Sequence, residues 1–126
     1  MFLLLNASER GVIHMALFDD THIQEEKIAG LDRELLTVLD TWLTVCQVSL
    51  DQVRGVAVLL AAGSFTSTRI ATVIANTLAY TKRIPVLGVS KEDATKFSDM
   101  AARLKMQPVG QYLSATYSAE ANIGKK

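Results

Sequence analysis

Few side chains in this sequence have the type and spacing that catalysis requires. The two histidines, His14 and His22, lie in strand-like patterns, with no acidic or cysteine residue at metal-ligand spacing. The single cysteine, Cys46, follows Trp42 by four residues on an apolar face, which is typical of a buried and unreactive thiol. The carboxylates are scattered over predicted helix surfaces. The sequence therefore predicts no catalytic residue, no bound metal and no cofactor.

The loop at Gly63 and Ser64 carries no recognisable nucleophile or phosphate-binding motif. Gly63-Ser64 lacks the second glycine of the turn that exposes a nucleophilic serine. No lysine follows a glycine-rich loop as it does in a Walker-type phosphate site. Instead, Gly63 can adopt the positive φ of a sharp reversal, and Ser64 or Thr66 can cap the helix that follows.

The elements on either side of this loop form the centre of the chain. Val56–Ala62 is a continuous apolar run, as in a strand buried on both faces, and the next helix runs to about Thr81. That helix is apolar over more than half of its circumference, with Arg69 as its only charged residue. Its polar strip consists of Thr68, Thr72 and Asn76. We expect its own sheet to cover one side of this helix and a further element or partner to cover the other.

Length, composition and charge favour a single α/β domain in the cytoplasm. The chain has 126 residues, of which 49% are hydrophobic, and 13 basic residues balance 13 acidic ones. A balanced charge gives no overall attraction to nucleic acid. The lone cysteine suits a reducing compartment, Phe2–Leu5 is shorter than the apolar core of a secretory leader, and no apolar run approaches a membrane span.

Further strands and helices are predicted around the central pair. The first three strands are closely spaced and form an antiparallel meander, with the charged third strand at an exposed edge. The predicted strands are Phe2–Leu5, Val12–Phe18, His22–Ala29 and the parallel Val86–Val89. The first helix is Asp32–Gln47, and the capping box Ser90–Asp93 opens the third.

The residues from Gly63 to Ile70 carry a family resemblance. They read Gly-Ser-Phe-Thr-Ser-Thr-Arg-Ile and resemble the Gly-Pro-Gly-Ser-Phe-Thr-Gly-x-Arg motif of the bacterial TsaB (YeaZ) family. The leading Gly-Pro of the motif is replaced by Ala61-Ala62, and its later Gly by Ser67. The likeness extends through most of the first 90 residues, including Ile84–Ser90 after the helix.

The resemblance implies a fold and a function. The fold is a ribonuclease-H-like, actin-like ATPase domain with a mixed five-stranded sheet, over residues 1–107, followed by an extended tail over 108–126. Members of the family are non-catalytic partners in making the threonylcarbamoyladenosine of tRNA. The implied partners are a TsaD-like catalytic subunit, a TsaE-like ATPase and, in their absence, a second copy of the chain. Contact with tRNA is expected to be indirect, and no contact with a membrane is expected.

One position departs from the pattern of the wider superfamily. There the turn after the first strand carries Asp-x-x-Thr, whose acidic residue faces a metal-bound phosphate, whereas this chain has Asn6. A neutral amide cannot neutralise a magnesium ion as a carboxylate does. Asn6 to Gly11 is therefore interpreted either as a simple hairpin turn, which we favour, or as a phosphate site.

The first two helices carry the predicted partner surface. Apolar residues cover about half of the first helix, which fits either a thick core or a core plus a partner helix. On the second helix Ser67, Ala71, Ala75 and Ala79 form a row of small side chains that allows close approach of another element. The predicted partner-binding residues are Leu35, Leu39, Trp42, Leu43, Cys46, Phe65, Thr66, Arg69, Ala71, Ala75 and Ala79. The predicted motif loop comprises Gly63, Ser64, Phe65 and Thr66.

Two functions from different classes remain. The first is a non-catalytic scaffold subunit that binds a TsaD-like partner and supports threonylcarbamoyladenosine formation. The alternative is a small nucleotide-binding or nucleotide-hydrolysing enzyme of the actin-like superfamily. Asn6 favours the scaffold.

Overall fold

The computed structural model describes residues 1–60 and 65–113, apart from the side chains of Asp32 and of residues 65–67. Its strands are β1 (Phe2–Asn6), β2 (Val12–Phe18), β3 (Ile23–Ala29), β4 (Val56–Leu59) and β5 (Val86–Val89). Its α-helices are α1 (Leu35–Val45), α2 (Phe65–Lys82) and α3 (Phe97–Met106). Short 3-10 turns occupy Asp32–Glu34, Leu50–Gln52 and Asp93–Thr95.

The five strands form one mixed sheet in the order β3-β2-β1-β4-β5. β1 pairs antiparallel with β2, and β2 pairs antiparallel with β3, which confirms the predicted meander. β1 pairs parallel with β4, and β4 pairs parallel with β5. The third strand begins at Ile23 and not at the predicted His22. The central strand ends at Leu59, and the predicted Ala61 and Ala62 lie outside the described residues.

Two apolar layers cover the two faces of this sheet. Successive side chains of a strand point to opposite faces, so β1 contributes Leu3 and Leu5 to one layer and Phe2 and Leu4 to the other. The first layer contains α1 and α2, and the second contains α3. The domain is therefore a three-layer α/β/α arrangement with two helices on one side and one on the other.

The ends of α1 differ from the predicted Asp32–Gln47. At the start, the carboxylate of Glu34 accepts the Leu31 N–H at 2.7 Å and Asp32–Glu34 forms a 3-10 turn, so the α-helix begins at Leu35. At the end, Gln47 has φ 60° and the Val48 N–H donates to the carbonyl of Leu43 at 3.0 Å. This is the Schellman ending, with glutamine at the left-handed position that glycine usually occupies.

The end of α2 repeats this device. Arg83 has φ 56°, and the Ile84 N–H donates to the carbonyl of Ala79 at 3.1 Å, immediately before Pro85. Neither ending contains the glycine by which such a stop is recognised in a sequence.

The third helix starts later than the capping box predicts. Ser90 Oγ does accept the Asp93 N–H at 3.1 Å, but the turn that it caps is the 3-10 turn Asp93–Thr95. Lys96, with φ −99° and ψ 76°, interrupts the helical backbone, and α3 begins at Phe97. Among the helices of the described residues, none has the length and apolar character needed to cross a membrane.

Candidate functional site

The turn after β1 is closed by its own side chains. Asn6 Oδ1 accepts two hydrogen bonds from Ser8, one from its backbone N–H at 3.0 Å and one from its hydroxyl at 2.6 Å. Asn6 Nδ2 lies 3.4 Å from His14 Nδ1, and His14 Nε2 lies 2.9 Å from Glu25 Oε1. The Asn6 amide therefore anchors an Asx-type turn, as the hairpin interpretation requires.

Each histidine has a polar neighbour within hydrogen-bonding distance. The neighbour of His14 lies across the sheet, and that of His22 lies in the adjacent turn. Pairing of β2 with β3 brings Glu25 to His14 across the sheet. His22 Nδ1 lies 2.8 Å from Thr21 Oγ1 in the β2–β3 turn. In the same turn the backbone N–H groups of Thr21 and His22 lower the pKa of Asp19. Within the described residues, no three His, Cys, Asp or Glu side chains form a group that could hold a metal ion.

Cys46 lies half-buried at the end of α1, facing β3. Gln24 Nε2 donates to its sulfur at 3.3 Å. Burial, with a smaller contribution from the negative charge of Glu26, raises the pKa of the Cys46 thiol. A raised thiol pKa keeps the side chain protonated at neutral pH and lowers its reactivity.

The predicted motif loop lies largely outside the described residues. Gly63 and Ser64 are not among them, and Phe65 and Thr66 form the first two positions of α2, with side chains that are not described. The role of these four residues stays a prediction.

Most of the predicted partner-binding residues lie in the core. Of the residues on α1 and α2, those that the structure buries are Leu35, Leu39, Trp42, Leu43, Ala71, Ala75 and Ala79. Cys46 is half-buried, and Arg69 is exposed. Ala75 and Ala79, which we expected on an open side of α2, have no exposed surface at all. This corrects the expected geometry, because the row of small residues faces the sheet.

The short side chains of that row explain the burial. α2 packs on β4 and also contacts β1 and β5. Alanine at positions 71, 75 and 79 allows the helix backbone to approach the sheet closely. Thr68 and Thr72, predicted as part of a polar strip, are also buried, and Thr72 Oγ1 donates to the Thr68 carbonyl at 2.8 Å.

A different set of apolar residues faces outward from the α1–α2 layer. Leu36 is 58% exposed on α1, and Val73 and Tyr80 are 49% and 72% exposed on α2. Ile70 and Ile74 lie beside them, half-buried. We call these five residues the outer face. Sequence reasoning missed it, although Val73 and Tyr80 lie on the arc of α2 opposite the alanine row at 3.6 residues per turn.

Known proteins resemble this chain over most of its length. The family model described as TsaD, tRNA N6-adenosine threonylcarbamoyltransferase, matches residues 29–119. The structure of YeaZ from Pseudomonas aeruginosa is similar, with a TM-score of 0.62 and 27% identity over 71% of this chain and 43% of that one. A structure described as an uncharacterized protein with similarity to peptidase YeaZ from Pseudomonas aeruginosa gives the same TM-score and identity, over 71% and 42% of the two chains. No curated protein sequence matches the chain.

These similarities confirm the resemblance to the TsaB (YeaZ) family and the actin-like ATPase fold. The chain spans less than half the length of the two similar structures.

Proposed function

Because this chain belongs to the TsaD family of tRNA N6-adenosine threonylcarbamoyltransferases, we propose that it takes part in making threonylcarbamoyladenosine in tRNA. Its role is that of a TsaB-like scaffold subunit, which binds a TsaD-like catalytic subunit and performs no chemistry itself. We propose the scaffold role over the catalytic one because the chain resembles YeaZ, whose family is expected to be non-catalytic.

The outer face of α1 and α2 is the observation that carries the proposal. It combines exposed Leu36 of α1 with exposed Val73 and Tyr80 of α2 and with two half-buried isoleucines of α2. We propose that these side chains form one surface, because contiguous exposed apolar side chains on a folded domain are typical of a binding site. A pair of helices from the partner would complete a four-helix contact with α1 and α2. Arg69, exposed near the start of α2, would border this contact.

The turn after β1 supports the absence of nucleotide chemistry. Asn6 supplies a neutral amide where the superfamily has a carboxylate, and the oxygen of that amide is already bonded to Ser8. A magnesium-bound phosphate at this place would lack the negative charge of the carboxylate that normally faces it. We therefore propose that any nucleotide needed for the reaction is held by the partner.

Further partners follow from the same family relationship. A TsaE-like ATPase would join the pair, and two copies of this chain would associate through their outer faces when no other partner is supplied. The balance of 13 basic and 13 acidic residues gives the chain no net electrostatic attraction to tRNA, so the catalytic subunit would hold the tRNA.

Two experiments test this function. Co-purification of the chain with the TsaD-like subunit of the same genome should recover a complex, and failure to recover one would contradict the scaffold role. Calorimetric titration of the chain alone with magnesium-ATP should detect no binding. Binding by the lone monomer at low-micromolar concentration would favour the alternative, a small nucleotide-binding enzyme.

A further inference from the structure

The segment after α3 crosses from one layer of the domain to the other. α3 packs in the layer of Phe97 and Leu104, whereas Leu113 packs against the layer that contains α2. Residues 107–113 therefore pass around the β5 edge of the sheet. They contain no helix or strand, and Val109, Gly110 and Tyr112 are exposed. We call residues 107–113 the strap.

One side chain of α2 binds the backbone of the strap at two points. Asn76 Nδ2 donates to the Leu113 carbonyl at 2.7 Å, and the Leu113 N–H donates to Asn76 Oδ1 at 2.9 Å. Only one orientation of the amide satisfies both bonds, because the two atoms have opposite hydrogen-bonding roles. Asn76 thus recognises peptide backbone in the way that a neighbouring strand would.

The same end of the strap packs against apolar neighbours. A Cβ atom placed on Gly88 of β5 would come within 3.4 Å of Leu113 Cδ2 and would overlap with Leu60. Glycine at position 88 therefore leaves the space that Leu60 and Leu113 share. Beside it, the rings of Tyr112 and Tyr80 lie 6.2 Å apart between centroids.

We propose that the strap is a latch, that Asn76 is its receptor, and that the latch opens and closes as a unit while the rest of the domain stays folded. Two observations support this. Within the described residues, the contacts that hold the strap are concentrated at Tyr112 and Leu113, and residues 108–111 before them are exposed. Few buried contacts make a segment open at a lower free energy than the whole domain. Asparagine is also a poor helix former, so its place in the middle of α2 fits a specific use.

The latch controls which groups the β5 edge and α2 expose. When it is closed, Tyr112 lies beside Tyr80 at one end of the outer face. When it opens, the tyrosine pair separates and the side chain of Leu60, which lies against Gly88, loses its cover by Leu113. Neither state depends on the partner proposed above.

The substitution Asn76→Asp in the full chain tests the latch through its pH dependence. An ionised carboxylate only accepts hydrogen bonds, so it keeps the bond from the Leu113 N–H and repels the Leu113 carbonyl. A protonated carboxyl has one donor and one acceptor, and restores both bonds. Amide hydrogen exchange of Leu113 should therefore be faster than in the wild-type chain by about tenfold or more at about pH 7. Protection should return towards the wild-type level at about pH 3, below the ordinary Asp pKa.

Two controls accompany this measurement. Thr77→Ala changes the next residue of α2, whose hydroxyl donates to the Val73 carbonyl of its own helix, and it should leave Leu113 exchange unchanged. The Val58 amide of β4 reports the domain, and should keep its wild-type exchange at each pH.

Three results would overturn the latch. Unchanged Leu113 exchange in Asn76→Asp at neutral pH would mean that the bond from Asn76 to the Leu113 carbonyl does not hold the strap closed. Fast exchange at both pH values would mean that the two-point geometry is not what holds it. Equal acceleration of Leu113 and Val58 would mean that the strap does not open separately from the domain.

Discussion

The two helical layers of this domain differ in the residues on their outward sides. α3 carries three charged residues in 10, and its Arg103 lies 3.5 Å from Asp93 and 3.9 Å from Asp99. α1 and α2 together carry only Asp40, Arg69 and Lys82 in their 11 and 18 residues. Their outer face has several apolar side chains, whereas α3 has ion pairs and a single exposed large apolar residue, Met106.

This difference distinguishes α3, whose outward side is charged, from α1 and α2, whose outward side is apolar. A charged outward side, as on α3, is stable in water and needs no cover. Leu36, Val73 and Tyr80 each expose about half or more of their surface to water. We propose that a second protein buries them.

The largest expected effect is the contrast between the two sides of α2. Ala75→Glu should unfold the domain, because Ala75 is completely buried against the sheet and an unpaired charge there costs several kcal/mol. Val73→Glu, two residues away on the outer face, should change the free energy of unfolding of the monomer by less than about 0.5 kcal/mol. Thermal melting of the two variants measures both effects. Normal melting of Ala75→Glu would mean that the alanine row does not pack on the sheet.

The sheet was predictable from the sequence, because its strands are marked by uninterrupted apolar runs or close turns. Val12–Phe18 and Val86–Val89 have the predicted bounds. The ends of the helices were harder to predict from the sequence. Gln47 and Arg83 adopt left-handed backbone conformations, which glycine usually adopts at the end of a helix. Lys96 interrupts the helix that Ser90 and Asp93 were expected to begin.

The side of α2 that faces the sheet was wrongly assigned for a physical reason. Hydrophobic periodicity assumes that the bulkiest residues face the core, whereas α2 places alanines there and valine and tyrosine outside. Close packing on a sheet favours small residues, and this preference outweighs bulk at Ala75 and Ala79. The pairing of Asn76 with Leu113 was also beyond reach, because it joins residues 37 positions apart through a segment without regular structure.

Self-association should depend on the layer of α1 and α2 and not on the layer of α3. Light scattering at micromolar concentration should report a dimer of the isolated chain, since the outer face is otherwise exposed to water. Val73→Glu should raise the dimer dissociation constant by at least about tenfold. Met106→Glu, at an 84% exposed position of α3, should leave it unchanged. Equal weakening by both substitutions would place the contact elsewhere.

A smaller effect is expected where α1 ends. Gln47→Gly should stabilise the domain by about 0.5 kcal/mol, because glycine removes the strain of a left-handed residue but loses more chain entropy on folding. Urea denaturation should detect this as a higher midpoint with the same slope. A lower midpoint would mean that the Gln47 side chain contributes more than its backbone strain costs.

The smallest effect concerns the ion pair at the end of α2. Lys82, by its hydrogen bond at 2.7 Å and then by its charge, lowers the pKa of Asp51. A depressed folded-state pKa contributes stability above the unfolded pKa, and this contribution disappears as pH falls through the folded value. Asp51→Asn should therefore match the wild-type stability in acid and fall slightly below it at neutral pH. A difference that persists in acid would not arise from this pair.

Affinity for the TsaD-like subunit most directly tests whether the outer face is a partner surface. Isothermal titration should be carried out with the wild-type chain, with Val73→Glu and with Met106→Glu, all of which should melt alike as monomers. We expect the wild-type chain and Met106→Glu to bind equally and Val73→Glu to bind at least about tenfold more weakly, because its carboxylate would be buried without a partner. Equal binding by all three would contradict the assignment of the partner surface to α1 and α2.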